Sequence, residues 1–179
     1  GERLPTEPLV QKAIEGGAKH VSGERIVKAV EANLVQLRTA RALLAGAGDT
    51  APAAREILSV VAARKRGLGD PVIARLVAAL PSQPRSAALH AVADLEAHGF
   101  QADSGANLIL EAVRQSMSGG RLLDVAAAAI QETQRGHTHD EALAIVRAEL
   151  PNVPTAPPPA QAAVQRARRP IAASGPPEH

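Results

Sequence analysis

The chain has 179 residues, 45% of them hydrophobic, which is enough to bury one core, and it contains no apolar run long enough to cross a bilayer. Its formal net charge is +2, and Arg166, Arg168 and Arg169 against Glu178 account for the excess, so the body before Pro151 is balanced and offers no bulk electrostatic footprint for nucleic acid. A single Phe with no Trp or Tyr leaves almost no platform on which bases could stack, and the absence of Cys excludes disulfides, thiolate nucleophiles and thiolate metal ligands.

Apolar residues recur at helical spacing from the first segment to Leu150, and no period-2 stretch reads as a strand. Leu9, Val10, Ala13, Ile14 and Gly17 form the first stripe, with Thr6 as its expected cap and Pro8 in its first turn. Gly16 and Gly17 each cost about 1 kcal/mol relative to Ala inside a helix, so either the helix ends there or a neighbour packs closely. Ile26, Val27, Val30, Leu34, Leu37 and Leu44 give a second, longer helix that follows Ser22. Ile57, Leu58 and Val61 give a third, expected to start with Pro52 in its first turn and to stop at Arg64–Gly67.

Asp70-Pro71 reads as a cap and first-turn proline for a fourth helix carrying Val72, Ile73, Leu76, Val77 and Leu80. After Pro81 and Pro84, Leu89, Val92 and Leu95 carry a fifth helix to His98. Ile109, Leu110, Val113 and Met117 mark a sixth, Leu122, Leu123, Ala126, Ala129 and Ile130 a seventh, and Leu143, Val146 and Leu150 an eighth. Three junctions share one form, a potentially basic residue followed by glycine: Arg66-Gly67, His98-Gly99 and Arg135-Gly136. Each glycine can take the left-handed C′ conformation, and Phe100 would then sit at C″ of a Schellman turn closing on Leu95. The glycines are spaced at about the length of a two-helix repeat, although helical chains commonly turn on Gly.

From Pro151 the chain becomes rich in Pro and Ala, which predicts a flexible tail, 151–179, following a helical domain, 1–150. Arg166, Arg168 and Arg169 in this tail could contact an acidic surface. The expected fold is all-α: about eight helices packed as successive antiparallel hairpins, either a bundle or a short solenoid-like array.

The segment RGHTHDEALAIV, Arg135–Val146, concentrates two histidines and two carboxylates. Thr138 and Glu141 have the S/T-x-x-E spacing of a capping box, and Asp140 falls where a helix dipole favours negative charge. His137 and His139 remain as partial metal-ligand candidates alongside Asp140. His90, Asp94 and His98 lie four apart on one helical face and form a second candidate set, although the outer two stand too far apart along the axis for one compact site. His20 follows Lys19 at a helix end, where the dipole favours positive charge. No phosphate-binding glycine loop, nucleophile elbow or dinucleotide fingerprint is present, and no cofactor is implied.

The opening LPTEPLVQKAIEGGAKHVSGERIVKAV, through its EPL, KAIEG and RIV pieces, resembles the start of small, Ala-rich, all-helical bacterial proteins of unassigned function, some of them exported. The resemblance implies a bacterial source and an extracytoplasmic home. A chain beginning with Gly fits the removal of an N-terminal piece such as a secretory signal. It transfers no site residue. The expected function is a non-enzymatic interaction domain whose inter-helix grooves bind a protein or peptide. The alternatives are a metal-dependent hydrolase or metal carrier using the histidine and aspartate sets, and a DNA-binding helix-turn-helix over Arg64–Ala79.

Overall fold

A computed structural model of the chain describes residues 4–152. Among these, eight α-helices and a terminal 3-10 turn account for the regular structure, with no strand: α1 Glu7–Ala18, α2 Gly23–Gly46, α3 Ala54–Lys65, α4 Asp70–Ala79, α5 Ser82–Ala97, α6 Ala102–Arg114, α7 Gly120–Gln134 and α8 His139–Glu149. None of them is long and apolar enough to cross a membrane. The tail expected from Pro151, with Arg166, Arg168 and Arg169, lies outside the described residues beyond Asn152.

Every principal contact joins helices one or two apart in the chain, which is the successive packing the hydrophobic stripes call for. Helix α5 is the hub, lying against α3, α4, α6 and α7. Its Ala88, Leu89, Ala91, Val92, Ala93 and Leu95 are all buried, and the three alanines let neighbouring helices approach closely. Gly105 of α6 sits under Leu95: a Cβ there would stand 3.1 Å from the Leu95 Cδ1.

The core contains one buried charge cluster. The Arg85 guanidinium donates to Glu56 Oε1 at 2.8 Å, to Asp49 Oδ2 at 2.5 Å and to the Leu80 carbonyl at 3.0 Å. Glu56 in turn accepts from the Ala53 backbone N–H at 3.0 Å through its other oxygen, capping the start of α3. The cluster ties α3, the loop after α2 and the α4–α5 junction together. Its buried charges are tolerated because they neutralise one another and hydrogen-bond the backbone.

One C-terminal motif recurs. The glycines at 67, 99 and 136 all adopt positive φ, and Phe100 N–H reaches the Leu95 carbonyl at 3.1 Å, the Schellman bond expected there. The same closure ends α2 at Gly48, and it ends α1 and α6 on non-glycine residues, His20 at φ 52 and Ser116 at φ 65. Leu68, Phe100 and Met117 follow their turns as buried C″ anchors, so Met117 belongs to the turn after α6 and not to the helix itself.

Several local expectations change. Asp70 is the first residue of α4 and does not cap it; Gly69 holds the cap position, and Asp70 instead accepts from Arg64 Nε at 2.7 Å. Pro52 precedes α3, which Ala53 caps with an extended backbone. Pro84 lies inside the first turn of α5, where its missing N–H would have had no intrahelical partner. Thr6 has helical backbone angles, and its side chain makes no cap bond.

Candidate functional site

Two histidines of the sequence's candidate sets take part in turn structure. His139 and His98 do meet: His139 Nε2 lies 3.0 Å from the His98 carbonyl, and the ring stands edge-on to Phe100 at 4.5 Å between centroids. A carbonyl only accepts, so Nε2 carries the proton, and the bond pins the start of α8 to the α5–α6 turn. His98 Nδ1 likewise donates to the Asp94 carbonyl at 2.8 Å, while the Asp94 carboxylate pairs with Arg66. His137 Nε2 stands 3.5 Å from Glu132, Asp140 is exposed, and His90 is half-buried on α5. Among the described residues no group of three or more His, Asp or Glu side chains is placed to hold a metal ion.

The capping box at α8 is formed as its spacing demands. Thr138 N–H donates to Glu141 Oε2 at 2.8 Å, and Thr138 Oγ1 accepts from Glu141 N at 3.3 Å. The bonds from the Thr138 backbone and then its hydroxyl hold the Glu141 carboxyl below its ordinary pKa.

The Arg64–Ala79 segment spans the end of α3, a turn and α4, and α4 buries Val72, Ile73, Leu76 and Val77 and turns Pro71, Ala78 and Ala79 outward. Its one arginine, Arg75, is engaged with Asp103 and Asn107 of α6. A recognition helix reads bases through outward donors, and the arginine of α4 is already held by α6.

The most distinctive surface is built on α3. Ile57, Val60 and Ala63 face the core with Glu56 and Ser59. Leu58, Val61, Ala62 and Lys65 follow the i, i+3, i+4, i+7 pattern along the other side. The sequence stripe of Ile57, Leu58 and Val61 therefore combines two faces: Ile57 is fully buried in the core, Val61 is half-buried against it and Leu58 is exposed. A cleft of about 380 Å³ lies between this second face and α1, walled by Gln11, Lys12 and Glu15 and floored by Leu37 and Asn33 of α2. A second cleft of about 420 Å³ continues past Gln36 to the α3–α4 turn at Leu68, Gly69 and Asp70. Val61 and Lys65 line both, so the two clefts adjoin along α3 and are taken together as its groove.

Charge in the groove is unequally compensated. Glu15 lies between Lys19 at 2.6 Å and Lys12 at 3.1 Å, and these ammonium groups, Lys19 foremost, hold its carboxyl at about 2. Asp70 is matched by Arg64. Lys65, exposed at the junction of the two clefts, has no ion-pair or hydrogen-bond partner among the described residues.

The wall made by α1 is thinly supported. No residue of α1 is buried, and in α2 burial begins only at Leu37. Val10, Ile14, Val27 and Val35, four of the six large hydrophobics left exposed among the described residues, belong to these two helices. The glycine pair separates into two roles. A Cβ on Gly16 would fall 2.6 Å from Ile26 Cγ1, so close approach of α2 requires that glycine, whereas Gly17 faces open space.

In comparison with known proteins, no family model matches the chain, no curated protein matches it, and no solved structure matches its fold.

Proposed function

We propose that the chain is a non-enzymatic helical interaction domain, and that its docking surface is the α3 groove between α1 and the α3–α4 turn. One observation carries this reading: α3 already satisfies its core with Ile57, Val60 and Ala63, yet carries a second apolar stripe, Leu58, Val61 and Ala62, along an open groove. A second apolar face left partly uncovered along a cleft is a surface that a partner can cover. Helix-in-groove recognition uses this arrangement, with apolar anchors below and charged groups on the rim.

The test is capture of proteins from lysate and envelope fractions of the source cell by the full chain and by its Leu58→Asp variant. Leu58 is partly exposed, at 37%, so the variant keeps the fold. The reading expects a protein held by the full chain and released by the variant. A turnover activity found in an unbiased substrate screen and abolished by one polar point substitution overturns it.

A further inference from the structure

From the charge of the groove, and resting on the reading above, we infer that its occupant is an acidic amphipathic helix of a partner protein, its apolar stripe on Leu58, Val61 and Ala62 and a carboxylate at Lys65. The two clefts share Lys65 and Val61, so any segment long enough to fill both passes that ammonium group. The groove's acidic residues are already answered from within the chain, Glu15 by Lys19 and Lys12 and Asp70 by Arg64. Lys65 is the lining cation left without such a partner among the described residues. With Lys12, Arg64 and Lys65 against Glu15 and Asp70, the lining is net positive although the body as a whole is balanced. That local excess selects an acidic segment over a basic one, because a like charge set against Lys65 in a partly desolvated groove is strongly penalised.

The neutral walls specify the rest. Gln36 from α2 and Gln11 from α1 border the floor, to which Asn33 contributes beside Leu37. They supply neutral polar contacts beside an apolar floor, which suits the boundary of an amphipathic helix, where its apolar stripe gives way to its polar side. A helical ligand also suits the stripe of α3, since both carry ridges of apolar side chains three and four residues apart that can interdigitate.

The experiment uses a random-peptide phage library on the immobilised full chain, followed by fluorescence polarisation of synthesised winners on the wild type and on the Leu58→Asp, Lys65→Glu and Ile14→Glu variants. The inference expects winners with apolar residues at i, i+3 or i+4 and i+7 and an excess of Asp and Glu. Lys65→Glu should weaken them more than about tenfold, Leu58→Asp should abolish binding, and Ile14→Glu, at an exposed α1 position that does not line the groove, should leave it unchanged. Selection repeated on Lys65→Glu should enrich basic sequences. Winners that are basic or uncharged on the wild type, or that bind Lys65→Glu as well as the wild type, overturn the acidic assignment while leaving the groove as docking site. Winners indifferent to Leu58→Asp, or a library yielding no winners at all, overturn the docking reading together with it.

Discussion

The α5-centred body and the α1–α2 hairpin are built from the same aliphatic residues, yet they use them differently. In the body, Leu89, Leu95, Leu108, Ile109 and Leu122 are all completely buried, and α5 lies against four other helices. In the hairpin, α1 packs principally on α2, and Val10 and Ile14 stay more than half exposed. An isolated helix as short as α1 is marginal in water, so α1 persists through one contact face, whereas α5 is held on several. The lesson is that an apolar stripe specifies a helix without specifying how much of it will be covered. The number of neighbours decides that, and the groove lies where the well-covered region meets the thinly covered one.

That contrast can be broken or sharpened by substitution. The largest effect belongs to Arg85→Met, which strands the Glu56 carboxylate in the core and should cost about 3–5 kcal/mol in denaturant unfolding. Leu108→Ala in the body should cost about 2–5 kcal/mol, whereas Ile14→Ala should stay within about 0.5 kcal/mol. Equal costs at these two positions would erase the distinction between body and hairpin.

The turn motif gives smaller, signed effects. Gly99→Ala should destabilise by about 1–2 kcal/mol, because φ is +88 and the new Cβ would stand 3.3 Å from the His139 ring. Ser116→Gly should stabilise by up to about 1 kcal/mol by relieving a non-glycine residue at φ 65. Thr138→Ala, which removes the cap of α8, should lower stability by about 1 kcal/mol. Thermal melts of the three variants suffice to check sign and order.

The smallest expected effect is a pH dependence confined to the hairpin. Glu15 has a folded-state pKa depressed from 4.5 to about 2, so its pairing with Lys19 and Lys12 stabilises α1 above pH 4.5 and is lost as pH falls from there toward 2. NMR shifts of α1 should therefore move through that window in the wild type, and Glu15→Gln should flatten the change.

Much of the fold is legible in the residues. The eight stripes, the turns at Gly67, Gly99 and Gly136 and the Thr138–Glu141 capping box all follow from local spacing and dihedral preference, which need no knowledge of distant contacts. Features set by tertiary contact were less visible. Asp70 carries a cap-like sequence but is drawn to Arg64, and Ser116 and His20 take left-handed conformations that favour glycine because the chain must turn there. The Arg85 cluster joins residues far apart in sequence. The groove left one trace, the apolar positions 58, 61 and 62 beside the core positions 57, 60 and 63. A single stripe through Ile57, Leu58 and Val61 merges the two faces and hides it. Of the histidine sets, conspicuous in composition, His98 and His139 stand at helix ends, where a ring N–H finds a carbonyl.

The most direct test of this account is native-state amide hydrogen exchange on the full chain in dilute solution. Amides of α1 and the first half of α2 should exchange through local opening, with protection well below that of α5 and α6, which should open only with global unfolding. If α1 is protected as strongly as α5 and loses its protection only in the global transition, the hairpin is an integral part of the core and the account is contradicted.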